Sequence, residues 1–187
     1  MVLIDSSILT GECVLEEISP KHFQTIIDWR NDTDNNKYLN QTFTASMETQ
    51  TKWYNEYLRN GSQILYVMID TNGVPFGTIG LKQINIQNRM AEVGNLLVIN
   101  EYRGSIEMAE CLIGFYEAAF NYLDVLYGHS VKDNKKVMKL NKSFGFINTE
   151  EKFPEQECQK TRDDLVSVCI RKEAFYNSKL YKNIKER

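Results

Sequence analysis

The hydrophobic pattern changes period across one stretch, residues 91–123, and this change limits the folds open to the chain. Ala91–Ile99 is an apolar run of strand length, and Asn100–Gly104 has the composition of a turn. Apolar residues then recur at helical spacing, at Ala109, Leu112, Ile113, Tyr116, Phe120 and Leu123, with an opposite face of Glu107, Glu110, Gly114, Glu117, Asn121 and Asp124. A strand that passes through a glycine turn into an amphipathic helix predicts an α/β domain.

The start of this helix has the features of an anion-binding site. The first N–H groups of a helix have no partner within the helix, and the positive end of the helix dipole lies there. Arg103 adds a positive charge at the same place. The turn therefore predicts a cradle for an anion. A plain connection between a strand and a helix is an equally good interpretation of the same residues.

Length and charge narrow the class of protein. The 187 residues suit one domain, 1–187, whose core needs no disulfide or metal. A formal net charge of −3 and a pI near 5.5 give no basic field, so no nucleic-acid partner is expected. The four cysteines lie far apart in sequence without a CxxC motif, which predicts reduced thiols and no metal site.

Hydropathy gives no sign of a membrane partner. Asp5 interrupts the short apolar start of the chain, which is too short for a signal sequence. Further along, no apolar run approaches the roughly 20 residues of a membrane-spanning helix. We therefore expect a soluble, cytoplasmic protein. The pattern does not bear on the oligomeric state, and a homodimer stays open.

The first sixty residues predict one strand and two helices. The strand spans Ile8–Ile18, and Ser19-Pro20 begins a helix that ends at Asn31–Asp32. The segment Asp32–Phe43 has no period and predicts a loop anchored by apolar side chains. Ser46 caps the second helix, whose predicted buried stripe is Trp53, Tyr54, Tyr57 and Leu58.

A meander of three antiparallel strands follows. Gln63–Asp70 and Val74–Ile86 pair through a hairpin turn at Asn72-Gly73, and the Ala91–Ile99 run is the third strand. These strands lead directly into the central turn and helix.

The remaining chain adds three strands and one helix. Val125–Val131 is a buried strand, and Asn134 caps a helix that Gly145 ends. Two further strands are Phe146–Phe153 and Leu165–Glu173. Residues 174–187 are a polar tail, with a short helix as the alternative. The predicted order is β-α-α-β-β-β-α-β-α-β-β, with seven strands and four helices.

Three short motifs within this order of elements resemble the GNAT superfamily of acyl-CoA-dependent N-acyltransferases. They are Trp29-Arg30-Asn31, Glu-Tyr-Arg-Gly at 101–104, and Asn134 followed by Phe-Gly-Phe at 144–146. The resemblance covers about residues 8–173 and implies the GNAT fold, an α/β (α+β) fold with a mixed, mostly antiparallel seven-stranded sheet. In that family the fourth and fifth strands splay apart, and the pantetheine of acetyl-CoA pairs with the fourth. Here those strands are Ala91–Ile99 and Val125–Val131.

The resemblance also implies the residues that bind acetyl-CoA, the co-substrate. The family's pyrophosphate loop, R-x-x-G-x-G/A, begins here at Arg103, and Ile106 and Met108 occupy its two small-residue positions. Glycine at these positions lets the backbone approach the phosphates. This chain therefore departs from the family where the loop would lie closest to the pyrophosphate. The amide near Leu97 or Val98 would polarise the thioester carbonyl. The implied donor-binding residues are Leu97, Val98, Arg103, Gly104, Ser105, Ile106, Met108, Ala109 and Asn134.

Three residues are candidates for a catalytic role. The family often places a tyrosine seven residues after the capping asparagine, as general acid for the leaving thiolate, and Asn141 stands there. An amide can donate a hydrogen bond to sulfur but cannot supply a proton, so water or another group protonates the thiolate, or it leaves unprotonated. Glu92 and His129 are the candidate general bases for the amine. The alternatives are a solvated strand end for Glu92 and a core position for His129.

The acceptor is predicted to be an amine. Segments 27–31, 37–40 and 127–128 resemble two family branches, one acting on nucleotide-linked amino sugars of the pseudaminic-acid pathway and one, ribosomal-protein-type, acting on protein N-termini or antibiotics. Arg30 would suit a sugar-nucleotide diphosphate, or it is a charge at a helix C-terminus. Tyr38 and Phe43 are the other candidate acceptor contacts.

The absence of a basic patch favours a small-molecule amine over a ribosome-bound substrate. We therefore predict an N-acetyltransferase for a small molecule, with protein N-termini as the alternative acceptor. A non-catalytic GNAT domain that binds acyl-CoA or a partner is a third interpretation.

Overall fold

The computed structural model describes residues 7–11, 13–39, 43–153 and 163–186. Within these ranges eight strands form one sheet, in the order β1-β2-β3-β4-β5-β6-β8-β7. Every neighbouring pair is antiparallel except β5 and β6, which confirms the predicted mixed, mostly antiparallel sheet. The strands are β1 (Ser7–Thr10), β2 (Cys13–Glu17), β3 (Ile64–Ile69), β4 (Pro75–Asn85), β5 (Met90–Val98), β6 (Val125–Val131), β7 (Ile147–Asn148) and β8 (Leu165–Arg171).

Helices cover both faces of this sheet. Leu65 and Val67 of β3 pack with the first helices, and Tyr66 and Met68 pack with the central helix, so alternate side chains of one strand enter two separate cores. The helices are α1 (Phe23–Asn31), α2 (Thr33–Asn36), α3 (Met47–Arg59), α4 (Ile106–Phe120), α5 (Lys135–Phe144), α6 (Lys172–Tyr176) and α7 (Lys179–Lys185). The described residues thus contain eight strands and seven helices, where seven and four were predicted.

The N-terminal segment accounts for the extra strand. Ile8–Ile18, predicted as one strand, forms the hairpin of β1 and β2, because the chain reverses at Gly11 with a φ of +52°. β1 lies against α4, where a Cβ on Gly114 would come within 2.0 Å of Thr10 Cγ2. Gly114, predicted on the exposed face of α4, is therefore buried.

The C-terminal segment, predicted as a polar tail or a short helix, forms most of α6 and all of α7 and packs on α4. Phe175 of α6 is fully buried in the main core. Tyr181 donates its hydroxyl hydrogen to the Glu117 carboxylate at 3.0 Å, and Lys185 Nζ donates to the same group at 2.9 Å. Burial together with this carboxylate raises the pKa of Tyr181 to about 12. A few buried aromatic side chains thus outweigh the polar composition of the segment.

Three helix-end predictions are confirmed. The Ser46 hydroxyl accepts a hydrogen bond from the Thr49 N–H at 3.2 Å, and the Asn134 side chain accepts one from the Val137 N–H at 3.2 Å. Gly145 follows α5 with a φ of +97°, a conformation that favours glycine.

Other boundaries differ from the prediction. The loop predicted at Asp32–Phe43 contains α2, because the Asp32 side chain accepts hydrogen bonds from the first N–H groups of that helix. The strand predicted at Phe146–Phe153 is limited to the two residues of β7. Leu58, predicted in the buried stripe of α3, is 64% exposed.

His22, just before α1, should make the stability of the fold depend on pH. Its imidazole is buried, Nδ1 accepts a hydrogen bond from the Ser19 N–H at 3.0 Å, and Nε2 has no hydrogen-bond partner among the described residues. Burial lowers the pKa of His22. The Glu16 carboxylate, whose Oε2 lies 3.9 Å from His22 Nε2, raises this pKa but by less. The unfolded chain therefore takes up this proton first as the pH falls below about 6.5, and unfolding becomes easier.

We expect the free energy of unfolding of the wild type to fall between pH 7 and pH 5.5 more steeply than that of a His22→Gln variant. Urea denaturation at several pH values measures both curves. Parallel curves would show that His22 titrates alike in the folded and unfolded chains.

Candidate active site

The candidate site is the gap between β5 and β6. These parallel strands pair only at Met90 with Val125, Ala91 with Leu126, and Glu92 with Tyr127. Beyond this point their pairing ends, which confirms the predicted splay. Gly128 lies at the base of the gap, where a Cβ would come within 2.6 Å of the Val93 carbonyl oxygen.

A β-bulge shapes the wall of the gap formed by β5. Gly80 of β4 pairs with Gly94, but Thr78 pairs with Leu97, so two residues of β5 lie opposite Ile79. Asn95 in the bulge has a φ of +55°, and its carbonyl accepts a hydrogen bond from the Thr78 hydroxyl at 2.7 Å. The hydrogen bond to Thr78 supports a backbone conformation that is costly outside glycine.

Beyond the bulge, the N–H directions distinguish the two candidate amides. The Ile99 N–H donates to the Phe76 carbonyl at 3.0 Å, toward β4. Successive N–H groups of a strand point to opposite sides, so the Leu97 N–H also points toward β4 and the Val98 N–H points into the gap. Of the two N–H groups, the one that points into the gap is that of Val98.

The turn before α4 is held by Tyr102. Its ring stacks on Phe76 at 4.4 Å between centroids, and its hydroxyl donates to Asp70 Oδ2 at 2.7 Å. This hydrogen bond raises the pKa of Tyr102 and lowers that of Asp70. Gly104 then takes a φ of +83°, which explains the glycine at this position.

The N–H groups in the first turn of α4 differ in whether they have an acceptor. The small residues of the family's loop are replaced here by Ile106 and Met108. The Ser105 hydroxyl accepts a hydrogen bond from the Met108 N–H at 3.1 Å. The backbone carbonyl of Ser105 accepts one from the Ala109 N–H at 3.3 Å. The side chains of Met108 and Ala109 are buried, whereas Ile106 is 48% exposed at the rim. Among the described residues the Ile106 and Glu107 N–H groups have no acceptor, as is usual for the first amides of a helix.

Arg103 uses its guanidinium within the protein. Nε donates to the Val98 carbonyl at 2.8 Å, Nη1 to the Asn100 side chain at 2.9 Å, and Nη2 to Asn35 Oδ1 of α2. The side chain thus connects β5, the turn and α2. The sequence did not indicate the contact with Asn35, because the two residues are 68 positions apart.

The three predicted catalytic residues divide between the two faces of the sheet. Ala91 packs in the core with α4, so Glu92 faces the opposite side by strand alternation, next to its partner Tyr127. His129 follows Tyr127 by two residues on β6, so its side chain lies on that same face, where it is exposed. Asn141 lies on the α5 side, where its Nδ2 donates to the Ser130 hydroxyl at 3.0 Å.

Tyr127, Gln83 and Phe153 add to the face that carries Glu92. The Tyr127 ring stacks on Phe153 at 4.4 Å between centroids, and its hydroxyl donates to Gln83 Oε1 at 3.4 Å. Burial, and secondarily Glu92, raise the pKa of Tyr127. Gln83 lies in a second bulge with a φ of +48°. Sequence reasoning missed Gln83 and Phe153, because neither lies in a motif.

The predicted acceptor residues lie on α1 and the segment after it. Arg30, near the end of α1, is half-buried, and burial lowers its pKa, although an arginine stays charged. The Asn31 side chain donates a hydrogen bond to the Ala45 carbonyl and accepts one from the Ala45 N–H, both at 2.8 Å. These two hydrogen bonds join the end of α1 to the residue just before the Ser46 cap. Tyr38 is half-buried and Phe43 is 55% exposed.

The other surfaces of the described chain include one groove, away from the gap between β5 and β6. No group of three or more His, Cys, Asp or Glu side chains in the described ranges could hold a metal ion. No described helix is long and apolar enough to cross a membrane. A shallow groove of about 570 Å³ on the outer side of α3 contains none of the predicted site residues.

Comparison with known structures supports the assignment of the fold. The structure of spermidine N-acetyltransferase from Vibrio cholerae in complex with CoA and spermine has 20% sequence identity and a TM-score of 0.74, over 89% of this chain and 99% of that one. Apo FdhC, a nucleotide-linked sugar GNAT, has 18% identity and a TM-score of 0.73, over 95% of this chain and 97% of that one. At these identities the similarity shows a shared fold.

The sequence itself also matches a family. No curated protein gives a significant match to the chain. Residues 13–147 match the family described as "Acetyltransferase (GNAT) domain", and this range includes the gap, the turn and the start of α4. The chain belongs to the GNAT acetyltransferase family.

Proposed function

We propose that this protein transfers an acetyl group from acetyl-CoA to the primary amine of a small molecule. The observation that carries the proposal is the gap between β5 and β6, in which the inward Val98 amide and the Glu92 carboxylate occur on one splayed strand. Family membership supplies the reaction class. The geometry supports the roles proposed below for individual residues.

The donor would lie along β5. The Val98 N–H would donate to the thioester carbonyl and stabilise the negative charge that develops on its oxygen. The Ile106 and Glu107 amides at the start of α4 would hold the pyrophosphate, with Asn134 at the start of α5 as a further contact. Gly104 allows the turn that aims these amides, and Arg103 holds the turn against β5.

The acceptor amine would attack the thioester from the face that carries Glu92. Its nitrogen forms a bond to the carbonyl carbon, the carbon–sulfur bond breaks, and the electron pair leaves with the sulfur as thiolate. Glu92 takes the amine proton, directly or through a water molecule. His129 is exposed on the same face and is the alternative base.

We propose a nucleotide-linked amino sugar as the acceptor. The half-buried guanidinium of Arg30 would recognise the diphosphate, with Tyr38 and Phe43 beside it. The structural similarity to FdhC, a nucleotide-linked sugar GNAT, supports this choice. The structure from Vibrio cholerae contains spermine, so a polyamine belongs in the same test.

Two measurements test the proposal. Isothermal titration calorimetry should show binding of acetyl-CoA, and its KM should lie between about 1 μM and 1 mM. Release of CoA thiol should then be followed with a panel of 4-amino-sugar nucleotides, spermidine and N-terminal peptides. We expect release with the sugar nucleotides. The absence of acetyl-CoA binding would refute the proposal, and release with peptides alone would transfer it to protein N-termini.

A further inference from the structure

The hydrogen bond between Asn141 and Ser130 joins α5 to the β6 wall of the gap. Asn141 Nδ2 donates to Ser130 Oγ at 3.0 Å, and Ser130 is 7% exposed. An amide nitrogen only donates hydrogen bonds, so the serine oxygen is the acceptor. Among the side-chain hydrogen bonds of the described residues, Ser130 takes part in this one alone. Its own hydroxyl hydrogen has no acceptor among the described residues.

Ser130 also lies on the part of β6 that has separated from β5. It follows Gly128 by two residues, beyond the last pairing of β5 with β6. Its side chain lies on the same side of the strand as Gly128 and Leu126, because side chains alternate along β6 and Leu126 packs in the core with α4. Glu92 lies on the opposite face, so the two groups would approach a thioester in the gap from opposite sides.

We propose that Ser130 is a catalytic residue that donates a hydrogen bond to the leaving sulfur, and that Asn141 is the positioning residue that turns the serine hydroxyl toward it. This inference rests on the proposed acetyl transfer. When the carbon–sulfur bond breaks, the sulfur keeps the electron pair and the Ser130 O–H stabilises the resulting thiolate. Ser130 keeps its proton, because a hydroxyl is too weak an acid to give it up, and the amine proton goes to Glu92.

Kinetics of serine variants test the hydrogen bond. Ser130→Ala should lower kcat by about 10- to 100-fold, the range expected for a lost hydrogen bond to a charged group, with little change in the KM for acetyl-CoA. Ser130→Thr keeps the hydroxyl and should keep most of the activity. Ser143→Ala is the control, because that hydroxyl donates to the Leu140 carbonyl at 2.7 Å within α5. Full activity of Ser130→Ala would overturn the proposal.

A double-mutant cycle tests the positioning role of Asn141. The carboxylate in Asn141→Asp only accepts hydrogen bonds, so it would draw the Ser130 hydrogen toward itself and away from the sulfur. Asn141→Asp should therefore lower kcat about as much as Ser130→Ala in the wild type, but less than about twofold in the Ser130→Ala background. Equal losses in both backgrounds would show that the new charge acts on the sulfur directly.

A binding experiment separates this inference from the proposed function. Calorimetry at pH 7 and pH 9.5 compares CoA, whose thiol ionises in this range, with acetyl-CoA, whose sulfur cannot. In the wild type, CoA should gain about tenfold in affinity relative to acetyl-CoA as the pH rises, and Ser130→Ala should lose this gain. The same gain in both proteins would overturn the role of Ser130 alone. Failure of both ligands to bind would refute the proposed function.

Discussion

Replacement of Glu92 by glutamine should lower kcat for acetyl transfer by about 10²- to 10⁴-fold, the usual range for a lost general base. Glutamine preserves the shape of the side chain but cannot take up the amine proton. The affinity for acetyl-CoA should change less than about twofold, because the proposed donor contacts are the Val98 amide and the start of α4. Glu92 is the last residue of β5 that pairs with β6, so it lies at the base of the gap.

Steady-state kinetics with the best amine of the panel, together with calorimetry, measure the two effects separately. Glu101→Gln is the matched control, because Glu101 is exposed in the turn before α4. Unchanged turnover in Glu92→Gln would remove its assignment as the base. If His129→Gln then showed the loss instead, His129 would take that role.

The second large effect is expected for Gly128→Ala. The new Cβ would come within 2.6 Å of the Val93 carbonyl oxygen, and a backbone group can yield only if the strand moves. The cost of overpacking is about 1–3 kcal/mol in the free energy of unfolding. Because the clash lies where β5 and β6 separate, we expect the affinity for acetyl-CoA to fall as well.

Urea denaturation and calorimetry test both parts of this prediction. Gly61→Ala is the control, since a Cβ there would have nothing within 4 Å. If Gly128→Ala and the wild type had the same midpoint of urea denaturation, the close approach of Gly128 to Val93 would not constrain the gap. A loss of stability without a loss of affinity would show that the donor contacts lie further along β5.

Local signals made most of the fold predictable from the sequence. The caps at Ser46 and Asn134 and the glycine after α5 depend on neighbouring residues alone, and the structure has all three. The pairing of β3 with β4 likewise follows from the turn that contains Gly73, whose φ is +78°. Such signals act within a few residues, so a single sequence displays them.

Features that depend on distant contacts were not predictable. The sequence does not indicate that Asn95 and Gln83 have a left-handed backbone conformation. Each lies in a bulge, and a bulge is defined by how β4 pairs with β5. The contact of Arg103 with Asn35 depends on how α2 approaches the turn. The same limit applied to the buried face of α4, since only the folded hairpin brings Thr10 against Gly114.

The packing of α4 has a consequence for the order of events during synthesis. Thr10 of the N-terminal hairpin covers one part of this helix, and Tyr181 and Lys185 of α7 bind Glu117 near its end. Domains generally fold as units during synthesis, and of the described residues that contact α4 those of α7 are made last. We therefore expect nascent chains that end before α7 to bind acetyl-CoA more weakly than the released protein.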